Sequence, residues 1–230
     1  MSAYRAVPAL SRIPWLFHGF GTRRFSEDDL LSIIAENGAR PVLLRQIHSA
    51  RVLVLDEVPE GFPEADAAAT RRPGLALVIK TADCLPLFLV DPDHRAVAAV
   101  HAGWRGTARR IAGEAVATMV HAFGTRPAVL LAALGPCIGG ACYEVGEDVA
   151  VSFRRDPSFG VLFALIPARP GKYHFDLRAA NRAQLEAAGL TAANIHDSGT
   201  CTHCDPALLS FRRDRRSDLR LFNFIGFRTD

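Results

Sequence analysis

The sequence lacks a long uninterrupted apolar run and an apolar leader. Its longest apolar segments, residues 85–90 and 128–134, have only the length of a strand, whereas a membrane-spanning helix needs roughly 18 or more uncharged apolar residues. Residues 1–5 also lack the apolar centre of a secretory signal. These two absences predict a cytoplasmic protein without a membrane partner.

Lysine is scarce, and the charge balance is close to neutral. Lys80 and Lys172 are the only lysines among 27 basic residues, and the formal net charge is +3. An excess this small does not indicate a nucleic-acid partner. The many arginines suit phosphate or carboxylate groups, because a guanidinium offers a planar fork of donors, although a codon preference explains the same excess.

Cysteine occurs in an odd number, which argues against a disulfide framework. We expect the five cysteines to be reduced thiols, some buried and some metal-bound. Cys201 and Cys204 have the C-x-x-C spacing of a zinc knuckle, and Cys137 and Cys142 could complete a four-thiolate site from a looser C-x4-C spacing. We nevertheless expect these four to be unnecessary for metal binding, with Cys142 and Cys201 as packed interior thiols.

Short apolar runs between Pro and Gly residues predict strands. The polar turn at residues 91–94 predicts a hairpin between two of them. The predicted strands are residues 41–55 (broken near His48), 75–81, 85–90, 96–101 and 128–134.

Two amphipathic patterns predict helices. One is capped by Thr107 and runs to Phe123, and the other is capped by Asp176 and ended by Gly189. Strands precede and follow both helices. We therefore predict a mixed α/β fold, in a single compact layered domain that spans residues 1–230.

Polar residues stand where the predicted strands end. Thr81, Asp83 and Cys84 lie between two strongly apolar runs, and His101 closes the next run. Such groups cost packing energy unless something pairs with them. Gly103 then allows a sharp turn and a close approach to a ligand, and the N-terminus of the helix expected to follow offers N–H groups to an anion.

These residues allow two rival chemistries. In one, Cys84 is a thiolate nucleophile activated by His101, as in cysteine hydrolases. In the other, Cys84 and His101 bind zinc together with His48, and a fourth position stays open for water or substrate. A third possibility is purely structural, with a buried thiol and two core histidines. The spacings alone do not decide among the three possibilities.

Several motifs in the same order resemble the YfiH family, over roughly residues 15–227. These laccase-domain proteins were long labelled polyphenol oxidases and were later linked to purine nucleoside phosphorolysis. The matching motifs are QIH at 46–48, Asp66, TADCLP at 81–86, HAGWRG at 101–106, LGPCI at 134–138 with CYEV at 142–145, and SFRRD at 210–214.

The resemblance implies a zinc site made by His48, Cys84 and His101, which are then also the catalytic residues. It also implies a layered α/β fold related to cysteine-hydrolase-like toxins. The implied activity is phosphorolysis of adenosine, inosine, guanosine and methylthioadenosine, with adenosine deamination as a side activity. Purine nucleosides and inorganic phosphate are the implied partners.

Substrate contacts are assigned to Arg105, Gln46 and Asp83. Arg105, and after it Arg45, are the candidates for binding phosphate, and Asp83 is a candidate for orienting a zinc ligand or for acid–base chemistry. The competing functions are a cysteine hydrolase and a non-catalytic domain in cell-wall quality control. Copper-dependent oxidation of phenols is disfavoured, because the eight histidines include no H-x-H pair.

Two segments depart from the family pattern. The HGFGTR motif at 18–23 is followed by a short acidic segment at 26–29 instead of a longer loop. The T-G-R sequence near the C-terminus is replaced by residues 217–220. We expect any substrate contacts that these segments make in the family to be altered here.

Overall fold

The computed structural model describes residues 3–153 and 162–229. Its strands are β1 (Tyr4–Arg5), β2 (Leu16–Gly21), β3 (Arg40–Leu43), β4 (Val52–Val54), β5 (Ala67–Thr70), β6 (Leu75–Thr81), β7 (Leu85–Asp91), β8 (Ala96–Ala102), β9 (Leu131–Leu134), β10 (Glu144–Gly146), β11 (Phe163–Leu165), β12 (Lys172–Phe175), β13 (Ile195–Asp197) and β14 (Leu221–Phe227). Its α-helices are α1 (Pro8–Ser11), α2 (Glu27–Glu36), α3 (Trp104–Ala108), α4 (Ile111–Phe123), α5 (Glu147–Phe153), α6 (Leu177–Ala187) and α7 (Phe211–Asp214).

Two mixed sheets form the centre of the molecule. One has the strand order β1-β2-β14-β6-β3, and the other has the order β13-β9-β7-β8-β5-β4. A small third sheet, β10-β12-β11, lies outside this pair. The strands β7 and β8 are buried along their whole length, because both faces of their sheet are covered, and they are apolar except for Asp91 and His101.

The core is arranged in layers. Between the two large sheets, Phe20 and Phe88 stack with ring centroids 4.6 Å apart. Helix α2 covers the outer face of the five-stranded sheet, and α4 and α6 cover that of the six-stranded sheet. Each large side chain fully buried in these layers contributes about 1.5–3 kcal/mol. The predicted mixed α/β layered class is confirmed, and its extent as one domain over residues 1–230 stays a prediction.

Helix boundaries follow local capping chemistry. The Ser26 hydroxyl accepts a hydrogen bond from the Asp29 amide, and the Ser26 amide donates one to the Asp29 carboxylate, which starts α2 with a capping box. Asp176 caps α6 as predicted, accepting from the Ala179 amide at 2.9 Å, and Gly189 follows the helix with a left-handed φ of 98°.

The predicted helix cap at Thr107 is wrong. Thr107 lies inside the short helix α3, where its hydroxyl donates to the Gly103 carbonyl at 3.0 Å and accepts from Asn181 at 2.9 Å. The chain then passes through Arg110, whose φ is 63°, and α4 begins at Ile111. No helix N-terminus opens at Thr107 in this described segment, so the anion site expected there is absent.

The predicted strands match the structure with one shortening. The break near His48 is confirmed, since β3 ends at Leu43 and β4 begins at Val52. The strand predicted for 128–134 begins only at Leu131, because Pro127 starts a 3-10 turn before it. The hairpin at 91–94 joins β7 to β8. Nowhere in the described residues does a helix have the length and apolarity needed to cross a bilayer.

Candidate metal centre

His48, Cys84 and His101 come together from three separate elements. Cys84 lies between β6 and β7, His101 is the penultimate residue of β8, and His48 lies in the loop between β3 and β4. Their ligand atoms all lie within 4.8 Å of one another. Cys84 Sγ is 4.0 Å from His48 Nε2, and the two imidazole rings meet edge to face with centroids 4.9 Å apart.

The β7–β8 hairpin sets the distance between Cys84 and His101. Its register pairs Leu85 with Ala102 and Pro86 with His101, so Cys84 stands opposite Gly103. A Cβ added to Gly103 would lie 2.9 Å from His48 Cδ2 and 3.1 Å from Cys84 Sγ. The backbone at Gly103 therefore approaches His48 and Cys84 so closely that a side chain here would displace one of them.

One buried carboxylate orients both histidines. Asp66 Oδ1 lies 2.8 Å from His101 Nδ1 and accepts from the His48 amide at 2.9 Å. Asp66 Oδ2 accepts from the Ser49 amide at 2.6 Å and from the Ser49 hydroxyl at 2.7 Å. Because Nδ1 of His101 is engaged, its Nε2 is left to face Cys84. A carboxylate behind a histidine is the usual support of a metal ligand.

The charges of the site depend on one another. Burial raises the pKa of Asp66, but hydrogen bonds from His101 and Ser49 together have the larger, opposite effect and lower the pKa to about 2. Burial likewise raises the pKa of the Cys84 thiol, and the charge and hydrogen bonds of His101 and His48 lower it to about 6. Burial lowers the pKa of His101, whereas Cys84 and Asp66 raise it to about 9. When no metal is bound, both shifts favour the pair of a Cys84 thiolate and a His101 imidazolium.

Two clefts meet at these side chains. The first, which we call the cationic cleft, has a volume of about 640 Å³ and is lined by Arg45, Lys80 and Arg220 together with the three metal-candidate residues. The second, the aromatic cleft, has a volume of about 440 Å³ and contains His48 and Cys84. Its aromatic side chains are Trp104, Tyr143 and Phe211.

The sequence matches the family model described as "Multi-copper polyphenol oxidoreductase laccase" over residues 28–228. The chain belongs to this laccase-domain family. The predicted resemblance to YfiH is confirmed by a solved structure, the hypothetical protein YfiH of Bacillus licheniformis. It superposes with a TM-score of 0.89 at 27% identity and covers 98% of this chain and 97% of its own.

Two relatives within the laccase-domain family carry named activities. A protein of Xylella fastidiosa named purine nucleoside phosphorylase is 44% identical over 184 residues, covering 77% of this chain and 68% of its own. A protein of an unknown prokaryotic organism named adenosine deaminase RL5 is 42% identical over 174 residues, covering 71% and 66%.

Among the residues predicted to contact substrate, Asp83 and Gln46 line the two clefts. Both carboxylate oxygens of Asp83 are engaged, one by the Thr202 hydroxyl at 2.6 Å and one by the Arg212 amide at 2.7 Å. Asp83 also has a left-handed φ of 85°, and these two bonds hold it there. Asp83 lines the aromatic cleft, and its part in substrate binding or proton transfer stays a prediction.

The other predicted substrate contacts differ in how free they are. The amide group of Gln46 lines the cationic cleft but bonds the backbone of Lys80 at both ends, at 2.8 Å each. Arg105 is exposed and lies over the Trp104 ring at 4.3 Å. Arg45 pairs with Glu64 at 3.0 Å on the surface. Their roles toward phosphate and nucleoside stay predictions.

The SFRRD motif supplies functional residues that the sequence did not assign. Ser210 caps α7 by accepting from the Arg213 amide at 3.2 Å, and this cap places the next residue, Phe211, in both clefts. Arg212 reaches over the Tyr143 ring at 5.5 Å. The sequence did contain a signal for this cap, a serine that precedes a mostly polar segment.

One of the two departures from the family pattern lies at the centre. Ser217, Asp218 and Arg220, which stand in place of the T-G-R sequence, line the cationic cleft. The short acidic segment at 26–29 instead starts α2, on the outer face of the five-stranded sheet. The altered contacts are therefore expected at one cleft only.

The remaining cysteines are not where the sequence placed them. Cys142 and Cys201 are partly exposed, and the fully buried thiol is Cys137, so their prediction as interior thiols is wrong. The reason is that Cys142 ends a short 3-10 helix and Cys201 directly precedes a turn, so that both stand near the surface. Cys142 Sγ is 3.3 Å from Cys204 Sγ, and together with His203 they form a second group of ligand atoms within 4.8 Å of one another.

Proposed function

We propose that this protein is a zinc-dependent purine nucleoside phosphorylase of broad specificity, with adenosine deamination as a side activity. The observation that carries the proposal is the convergence of His48, Cys84 and His101 at the junction of an aromatic and a cationic cleft. The named activities of the relatives support the same reading.

The donor set fits zinc. Two imidazoles and one thiolate are ligands that Zn²⁺ prefers, and a carboxylate stands behind one of the imidazoles. Three protein ligands leave a fourth position open, at which the bound ion would polarise a substrate group or lower the pKa of a water molecule. Asp66 keeps a proton on His101 Nδ1 and so leaves Nε2 free to bind.

The two clefts divide the work of binding. Faces of Trp104 and Tyr143 in the aromatic cleft suit a purine ring, and Lys80 and Arg220 in the cationic cleft attract inorganic phosphate. A nucleoside seated this way has its ribose C1′ at the junction. A phosphate oxygen then forms the new bond to C1′ as the bond from C1′ to the purine nitrogen breaks, and the base leaves with the electron pair.

Phosphate dependence tests the proposal. We expect the zinc-loaded protein to release hypoxanthine from inosine, with formation of ribose 1-phosphate, only when inorganic phosphate is present. His48→Ala should abolish this release. His94→Ala is the control, because His94 is an exposed histidine at the far end of the β7–β8 hairpin, and it should keep the activity. Base release at the same rate without phosphate would mean hydrolysis and would refute the phosphorylase.

The deaminase side activity uses the same centre. We expect adenosine to yield inosine and ammonia in phosphate-free buffer, and this conversion to be lost together with phosphorolysis in His101→Ala. Guanosine and methylthioadenosine are the further substrates to profile. A deaminase rate unaffected by His101→Ala would separate the two activities and contradict a shared site.

One observation favours a second candidate, a cysteine hydrolase. Asp66, His101 and Cys84 stand in the order orienting acid, base and nucleophile, and the metal-free pKa of Cys84 is lowered to about 6. A Cys84→Ala variant that keeps its zinc but loses activity would favour this candidate. His48 has no place in such a triad, so retained activity in His48→Ala would point the same way.

Two other functions have less support. Laccase chemistry uses several clusters of histidine ligands, and the two ligand groups among the described residues contain only His48, His101 and His203. A non-catalytic cell-wall role would be favoured if the zinc-loaded protein turned over no purine nucleoside at all.

A further inference from the structure

We propose that Cys142, His203 and Cys204 form a second metal site, for Zn²⁺ or a similarly soft divalent cation, distinct from the His48–Cys84–His101 centre. Their ligand atoms lie within 4.8 Å of one another, and the two sulfur atoms are 3.3 Å apart. Two thiols and an imidazole are a zinc-preferring donor set. Their spacing in the sequence, 62 residues between the two cysteines, hides this set from a motif search.

The backbone holds the two contributing segments side by side without help from a metal. Cys137 and Cys201 form a parallel β-bridge, in which the Cys137 amide donates to the Thr200 carbonyl at 3.3 Å and the Thr202 amide donates to the Cys137 carbonyl at 3.0 Å. Because Cys137 is fully buried, this bridge is anchored in the core. The ligands are therefore brought together by the fold itself.

Cys201, which is not one of the three ligands, orders the turn that carries His203 and Cys204. The Gly139 amide donates to Cys201 Sγ at 3.1 Å, and a Cβ at Gly139 would lie 3.3 Å from that sulfur. Amide donors of this kind orient and stabilise sulfur atoms that carry negative charge. The hydrogen bond to Cys201 thus holds the turn in place. Cys204 is exposed, so an ion can reach the site from solvent.

The second site is positioned to support the wall of the aromatic cleft. Tyr143 follows Cys142 directly and lines that cleft. On the other segment, Thr202 donates to Asp83 beside Cys84. Arg213 bonds the carbonyls of Thr202 and His203 at 2.8 and 3.0 Å. An ion between Cys142 and Cys204 would join these two supports, so its role is structural.

Metal content of matched variants tests the proposal. Full-length protein purified under reducing conditions and equilibrated with zinc alone should bind one ion for each of the two groups. Cys84→Ala should lose one of them, and the double variant Cys142→Ser with Cys204→Ser should lose the other. In the double variant, phosphorolysis should persist with a raised KM for the nucleoside. Because each site has its own variant, failure of this proposal leaves the proposed function untouched.

Cobalt provides a second readout that does not need the double variant to fold. In Cys84→Ala, the only thiolates left near a ligand group are those of the second site, so Co²⁺ should still give a thiolate-to-metal charge-transfer band. Absence of that band, or equal zinc content in the wild type and the double variant, would overturn the site. Thiol titration of the unfolded, unreduced protein that finds three free thiols instead of all five would assign the pair to a disulfide and overturn it as well.

Discussion

Replacing Asp66 by Asn should weaken both the metal site and the fold, although the two side chains have the same shape. The carboxylate is fully buried and accepts hydrogen bonds on both oxygens, from the His48 amide, from the amide and hydroxyl of Ser49, and at His101 Nδ1. An amide group can serve only one side of this ring of donors. Its NH₂ group would face N–H groups on the other side and leave them without an acceptor.

The size of the loss follows from two independent routes. Each buried donor left without an acceptor costs about 1–3 kcal/mol, and at least one backbone amide is affected. The pKa of Asp66 is lowered from 3.8 to about 2, which corresponds to about 2–3 kcal/mol of native-state stabilisation at neutral pH. A partner behind a metal ligand typically changes metal affinity by about 10–100-fold. We therefore expect Asp66→Asn to lower the free energy of unfolding by about 2–3 kcal/mol and to weaken zinc binding at least ~10-fold.

Urea unfolding of the metal-free protein and competition with a zinc chelator measure the two losses. Because the folded-state pKa is lowered, the stabilisation is present above the unfolded pKa of 3.8 and disappears as the pH falls toward about 2. The stability gap between wild type and variant should close over the same range. Asp91→Asn is the matched control. Asp91 is also fully buried and lies 2.9 Å from His94 Nδ1, but at the far end of the hairpin.

Asp91→Asn should lower stability and leave zinc affinity unchanged. The reasoning would be refuted if Asp66→Asn bound zinc within roughly threefold of wild type, below the ~10-fold minimum expected for such a partner. It would be refuted equally if both variants weakened zinc to the same extent, because the effect would then report general destabilisation.

Three further predictions concern separate features. Burial lowers the pKa of His18 from 6.5 to about 4; the contribution of His18 to stability should therefore fall by about 2 kcal/mol between pH 7 and pH 5, and His18→Gln should remove that contribution in urea titrations. Gly103→Ala should displace His48 and lower zinc affinity at least ~10-fold, whereas Gly113→Ala, which meets no atom within 4 Å in α4, should stabilise the protein by about 0.5–1 kcal/mol. Arg220→Ala should raise KM for phosphate more than KM for inosine in steady-state assays, and an equal rise in both would contradict the assignment of the cationic cleft.

Local pattern was sufficient where a site residue ends a strand. Cys84 and His101 could be selected because each polar group stands at one end of an otherwise mostly apolar strand. The hydrogen bonds of Asp66 could not be predicted from the sequence, because its partners lie 17 and 35 positions away along the chain. The hydrogen bond from the Arg212 amide to Asp83 could not be predicted either, because 129 positions separate the two residues.

The errors have a similar origin. Thr107 carries a good cap residue before an amphipathic pattern, but Asn181 of α6 engages its hydroxyl, and the helix starts elsewhere. Such tertiary partners are invisible in a window of a dozen residues. The grouping of Cys142 and Cys204 with His203, in place of the four-thiolate site that the spacing allowed, could not be predicted for the same reason, because a β-bridge brings the two segments together.

The length of the turn at residues 92–95 sets the register in which β7 pairs with β8. The register runs from Asp91 opposite Ala96, beside the turn, to Leu85 opposite Ala102, a length of roughly 20 Å at ~3.3 Å per residue. Because side chains alternate between the two faces, a slip of one residue would turn the imidazole of His101 toward the helices. Single-residue insertions, which surface turns usually tolerate, should therefore be rare in the natural variation of this turn, although none of its residues lines either cleft.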